Sequence, residues 1–148
     1  RVLFRSAQTC VDMLQFSAEK HKVTLKLEGN DCFIPGNRQM LDELLYNLCD
    51  NAIRYNNEGG TVVVSIRDLG EQAELKVMDT GIGIPKEAQS RIFERFYKVD
   101  KSRSADAKST GLGLYIVKSI LELHNGKIYA DSVEGRYTEF VFTLPKLM

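Results

Sequence analysis

The sequence lacks an excess of charge of either sign: 20 lysines and arginines stand against 20 aspartates and glutamates. A chain so balanced has no global field to draw in nucleic acid or an anionic membrane surface, so any anion it binds must be met locally. It also lacks any apolar run approaching the roughly 20 residues that span a bilayer, and it opens on no signal-peptide pattern. Cysteine is sparse and odd in number. Cys10, Cys32 and Cys49 are far apart and have no histidine cluster beside them, which fits reduced thiols in the cytoplasm better than disulfides or a zinc site. Histidine is scarcer still, with only His21 and His124.

What is present is ordinary globular material: 148 residues, 43% hydrophobic and 27% charged. That length predicts a single domain over residues 1–148 with a real core. The chain begins at Arg1 inside a helical pattern, so it is expected to be a piece of a longer protein.

Periodicity orders the elements. Val11, Leu14 and Ala18 recur at helical spacing in "SAQTCVDMLQFSAEKH", and "VTLKLEG" then alternates apolar and polar residues up to Gly29, as a half-buried strand does. The longest periodic run, "NRQMLDELLYNLCDNAIRY", puts Met40, Leu44, Leu48 and Ala52 on one face beside Leu41 and Leu45, with Asn37 as N-cap and Cys49 in the core. "TVVVSIRDL" and "AELKVMD" predict an antiparallel hairpin, and "KIYADSV" with "TEFVFTLP" predicts a second. Between the hairpins lie residues 84–110, with little apolar anchorage in their second half, and then a helix from "GLGLYIVKSILELHNG" stopped at Gly126. Helix, strand, helix, hairpin, long segment, helix and hairpin predict a two-layer α/β sandwich. Its sheet is mixed but mostly antiparallel, with three main helices on one face.

Two glycine loops stand out. "DTGIGIP" at 79–85 follows directly on a strand, and "STGLGLYIV" at 109–117 opens a helix. Neither is a P-loop, which needs lysine and a hydroxyl at fixed offsets, and Ile116 occupies the place of the third glycine of a dinucleotide fingerprint. Glycine does allow positive φ and close approach to the backbone. A helix starting near Gly111 and Gly113 also directs free N–H groups and its positive dipole end at a neighbouring anion. On the long helix Asn47 and Asn51 are four residues apart at the border of the apolar stripe, near Arg54 and Tyr55. Their amide oxygens suit Mg²⁺ that is otherwise held by phosphates and water, or hydrogen bonds within the fold. Asp79 can accept from the amino group of adenine, and it also makes a good turn before Thr80 and Gly81.

The ordered set Asn47 and Asn51, Asp79 with Gly81 and Gly83, "RIFERFYKVD", and Gly111 to Leu114 resembles the N, G1, F and G2 boxes of the ATP-binding catalytic domain of bacterial two-component sensor histidine kinases. The resemblance runs from about residue 7 to the last strand. It implies the Bergerat ATP-binding fold shared with gyrase, the ninety-kilodalton heat-shock chaperone and the mismatch-repair ATPases. ATP and Mg²⁺ are the implied cofactors. Asp79 would read the adenine amine, with Gly81, Gly83 and Ile84 beside the base. Asn47 and Asn51 would hold Mg²⁺ and the phosphates as the catalytic pair, Arg54 would face phosphate, and Tyr55 would lie near adenine or ribose. Residues 84–110 would form an ATP lid packed down by Phe93 and Phe96. Lys98, Lys101 and Arg103 would be its phosphate contacts, or else members of a solvated charged loop. Thr110, Gly111, Leu112, Gly113 and Leu114 would close on the phosphates.

The hydrolytic members of that superfamily carry a glutamate where this chain has Asn47. Phosphate transfer to an imidazole, nucleophilic when neutral, needs no such base. The expected activity is therefore a histidine kinase. The alternatives are an ATP-hydrolysing switch of the gyrase or chaperone type and a degenerate nucleotide-binding regulatory module. His21 and His124 lack the acid and hydrophobic pattern of the family's phosphoacceptor, and each is read as a helix-end residue stabilising the C-terminal dipole. The implied partners are a histidine-containing dimerisation domain of the same protein, absent from this chain, and the receiver domain of a response regulator. The domain itself is expected to be cytoplasmic and monomeric, touching neither nucleic acid nor membrane. Its parent is expected to be a homodimer that can be anchored in the cell membrane.

Overall fold

A computed structural model describes residues 3–94 and 113–146. The elements run α1 (Leu3–Lys20), β1 (Thr24–Gly29), α2 (Arg38–Arg54), β2 (Thr61–Asp68), β3 (Gln72–Asp79), a 3₁₀ turn (Lys86–Ala88), α3 (Gly113–Leu123), β4 (Lys127–Val133) and β5 (Tyr137–Pro145). The strands form one sheet in the order β1-β2-β3-β5-β4. Pairing is antiparallel except between β1 and β2, which run parallel because α2 intervenes and returns the chain to the same edge. The expected mixed, mostly antiparallel sheet with three helices is what the chain forms.

Alternation dictates which face is covered. Val62, Val64 and Ile66 of β2, Ala73, Leu75 and Val77 of β3, and Phe140, Phe142 and Leu144 of β5 all point to one side and are buried. Against them lie Leu41, Leu44, Leu45, Leu48, Ala52 and Ile53 of α2, which sits between α1 and α3 and touches both. The N-cap is as the sequence predicts: Asn37 is extended, and its side chain accepts from the Met40 N–H at 3.0 Å. Cys49 is core, and it donates a hydrogen bond across the helix interface to Cys10, holding the Cys10 thiol below its ordinary pKa and pushing its own well above.

Helices α1 and α3 end alike. Lys22 and Asn125 take left-handed φ of 58°, and the next N–H closes back on the helix, Val23 to Ala18 O at 2.9 Å and Gly126 to Leu121 O at 2.8 Å. The residue that turns α3 is therefore Asn125, one position before the expected Gly126. Residues 84–94, expected to open a lid, are tied into the packed layer: Ile84 N–H donates to Ser132 Oγ at 2.8 Å, and Gln89 Nε2 donates to Ile84 O and Ser132 O. Ala88 and Ile92 are buried beneath them.

Leu75 is fully enclosed at the centre of the sheet, whereas Met13 on the outer face of α1 is 62% exposed. Leu75→Ala should lower the unfolding free energy by about 2–5 kcal/mol in urea denaturation. Met13→Ala should change it by less than about 0.5 kcal/mol, and similar losses at both positions would contradict this core.

Candidate functional site

Strand β3 carries its apolar alternation one step too far. Ala73, Leu75 and Val77 face the helices, and the next inward position is Asp79, only 5% exposed. Among the described residues its carboxylate receives one hydrogen bond, from the Gly81 N–H to Oδ1 at 2.9 Å. Burial raises its pKa from 3.8 to about 6, and the bond from Gly81 opposes that rise. A half-satisfied carboxylate at the open end of a strand is poised for a second donor. An acid at an inward-facing position of an alternating strand was the sequence signal for it.

The glycines after Asp79 meet the protein itself. A Cβ on Gly81 would strike the carbonyl oxygen of Tyr55 and come within 2.7 Å of Asp79 Oδ1. Gly83 has φ of 70°, and a Cβ there would collide with the backbone at Val133 and lie 2.7 Å from Glu134 Cα. Thus the loop is clamped between the end of α2, where Ile82 N–H donates to Tyr55 O at 3.1 Å, and the β4–β5 turn, where Gly135 N–H donates to Ile82 O at 2.7 Å. The glycines are explained by this clamp, which holds Asp79 in place. Ile84 is buried in the hydrophobic core, and Phe93 packs edge-on against Phe140 with ring centres 5.9 Å apart.

Helix α2 links this loop to α3. Asn47 and Asn51 are both half-buried on α2, and Asn47 Nδ2 donates to Glu43 O at 2.8 Å, which fixes the amide and with it the position of Oδ1. That oxygen lies 3.4 Å from where a Cβ of Gly113 would stand, so the first residue of α3 abuts Asn47. Arg54 is engaged by Asp50, Nε to Oδ2 at 2.8 Å, and its charge is partly offset there. Tyr55 is the C-cap of α2, and its contribution to the loop is its carbonyl. Leu114 is half-buried against the core. The predicted site residues Phe96, Lys98, Lys101, Arg103, Thr110, Gly111 and Leu112 lie outside the described residues.

Asp79 and the clamped loop thus lie at one end of α2, and Asn47, further up the same helix, lies against the start of α3. A family model described as "Histidine kinase-, DNA gyrase B-, and HSP90-like ATPase" matches residues 36–148. The chain belongs to this family. Within it the curated relatives include the sensor histidine kinase WalK of Bacillus subtilis strain 168, 39% identical over 147 residues that cover 97% of this chain and 24% of the relative. The sensor histidine kinase CusS of Escherichia coli strain K12 is 39% identical over 134 residues, covering 90% and 28%. The chain thus spans about a quarter of the length of these relatives.

Among solved structures, the nucleotide-free catalytic domain of histidine kinase ThkA superimposes with a TM-score of 0.82 at 26% identity, covering 96% of this chain and 91% of that one. A mycobacterial sensor histidine kinase, MprB, shares the fold with a TM-score of 0.84 at 23% identity, covering 98% and 95%. The histidine kinase resemblance carried by the four motifs, and the ATP-binding fold it implied, are both upheld. No helix among the described residues is long and apolar enough to cross a membrane.

Keeping Asp79 buried and ionised works against folding. Because its folded-state pKa is raised, the penalty is absent below pH 3.8, develops between pH 3.8 and about 6, and is complete above. That gap corresponds to about 3 kcal/mol at neutral pH. Asp79→Asn should therefore stabilise the nucleotide-free domain at pH 7.5 by up to that amount, with the gain disappearing near pH 4. Urea unfolding at the two pH values measures it, and an equal difference at both would show that ionisation is not the cause.

Proposed function

We propose that the chain binds Mg-ATP along α2 and presents the γ-phosphate to a histidine on a separate dimerisation domain, for relay to an aspartate of a response regulator. The observation that carries this reading is Asn47 Oδ1 against the first residue of α3, at the end of the site away from Asp79. An amide oxygen beside a helix start suits a phosphate chain, since the N–H groups of a helix start bind phosphate oxygens and the amide oxygen serves their counter-ion. At the other end Asp79 accepts from the exocyclic amine of adenine through its oxygen not held by Gly81, and Tyr55 borders the base or ribose. Arg54 shares its guanidinium between Asp50 and phosphate. Lys98, Lys101, Arg103, Thr110, Gly111 and Leu112 remain the expected lid contacts, with Phe96 beside Phe93 as its anchor.

The donor set fits magnesium brought in with the nucleotide. Asn47 and Asn51 supply neutral oxygens, and among the described residues no group of three His, Cys, Asp or Glu side chains gathers to hold an ion unaided. When bound, the ion supplies charge neutralisation across the phosphates. The chain's own residues hold the nucleotide in line and exclude alternatives. Asn47 carries no carboxylate to draw a proton from water, which favours transfer to an imidazole over hydrolysis. In the transfer the bond from the γ-phosphorus to its bridging oxygen breaks as a bond to an imidazole nitrogen forms, and ADP leaves. Positioning supplies most of the rate.

His124 is not placed to be the acceptor, being buried with both nitrogens engaged. His21 is exposed with Nδ1 bonded to Ser17 O at 2.9 Å, and what counts against it is the lack of the acid and hydrophobic pattern of the family's phosphoacceptor. With γ-labelled ATP, acid-labile phosphate should appear on a supplied histidine-bearing dimerisation domain and not on this chain. Label on this chain alone, or rapid ATP hydrolysis without an acceptor, would overturn the reading. By calorimetry Asp79→Asn should weaken ATP binding about 10- to 100-fold, the range for a hydrogen bond to a charged group. Asn51→Ala should remove transfer to the acceptor while leaving the domain folded.

A further inference from the structure

His21 and His124 occupy the same local position, the cap residue just before the left-handed turn of a helix. Each directs Nδ1 at the carbonyl four residues earlier, His21 to Ser17 O at 2.9 Å and His124 to Ile120 O at 2.8 Å. There the likeness ends. His21 is exposed, whereas His124 is only 6% exposed and its Nε2 accepts the Asn37 backbone N–H at 3.2 Å. A backbone N–H can only donate, so Nε2 carries no proton, and Nδ1 must be the nitrogen that donates to Ile120 O. To the expected role at a helix end His124 thus adds a tautomer-fixed link between two helices. Gly36 makes room for it: a Cβ there would stand 2.8 Å from Cδ2 and 2.9 Å from Nε2 of the ring.

Helices α2 and α3 are therefore joined at two points. His124, just past the end of α3, bonds Asn37, the N-cap of α2. Gly113, the first residue of α3, abuts Asn47 one stretch further along α2. About ten residues separate the two points on either helix, so both spans measure about 15 Å and the helices lie antiparallel in matched register. We propose that His124 is a positioning residue for the nucleotide site. Its two hydrogen bonds set how far α3 lies along α2, and the rigid helix carries that setting to its other end, where Gly113 abuts Asn47. A displacement there of about 1 Å is enough to spoil catalytic geometry. The proposal rests on the phosphate reading of Asn47 and the α3 start.

The test has a nucleotide-free arm and a nucleotide arm. In the free protein, long-range ¹H–¹⁵N spectra should show the Nδ1–H tautomer at His124. His124→Phe, and independently Gly36→Ala, which displaces the ring but keeps the imidazole, should shift the backbone amides of Asn47 and of the first turn of α3 while sparing those of residues 79–83. On titration both variants should lose about tenfold in affinity for ATP, the scale of a lost hydrogen bond, and little for adenosine, which reaches only the Asp79 end. His21→Phe should alter neither. If the folded variants leave the Asn47 and α3 amides in place, or weaken ATP and adenosine in equal proportion, His124 is a helix cap and the proposal fails. Absence of ATP binding in the parent would refute the nucleotide reading, and the amide shifts of the free protein would still decide the register.

Discussion

Helix α2 has to satisfy two surfaces at once, and the domain is organised around that demand. Its apolar face, from Leu41 through Ile53, is sealed against the sheet and against α1 and α3. At the border of that face stand Asn47 and Asn51, polar enough to meet a ligand and neutral enough to sit beside a core without the cost of a buried charge. Because the apolar contacts fix the rotation of α2, they also fix where those amides point. The Glu43 carbonyl then removes the remaining freedom of Asn47 by accepting its N–H.

The carboxylate at the end of β3 is kept on different terms. Asp79 sits where the next apolar residue of β3 would be, so its ionisation is opposed by burial and supported by a single N–H. Such a group strains the free domain, and a donor to its second oxygen would relieve that strain without adding to the stability of the free protein. The loop that follows is held from both sides by α2 and by the β4–β5 turn, and its glycines are consumed in that clamping rather than left open to solvent.

Much of this was legible in one dimension. Apolar spacing located the three helices and the five strands, Asn37 announced the start of α2, and the four boxes identified the nucleotide family in order. The sequence was silent where a residue's meaning depends on what lands against it. Gly81 and Gly83 were expected to let a base approach the backbone, and the structure adds that a Cβ at either would strike Tyr55, Val133 or Glu134. Residues 84–94 were expected to open a lid, and in the structure Ala88 and Ile92 are covered and Gln89 is bonded to Ser132 across the fold.

The two histidines mark the boundary most clearly. Sequence by itself determined that each would cap a helix, because that geometry is written in a few consecutive residues and closes through bonds four or five positions apart. It determined the families of strand and helix for the same reason, since periodicity is a local property. Only the tertiary structure decided that His124 and not His21 would be buried, face Gly36 and bond to Asn37, which lies 87 positions away in the chain. No local pattern encodes such a pairing: it arises when the sheet brings β4 beside β5 and so lays α3 along α2.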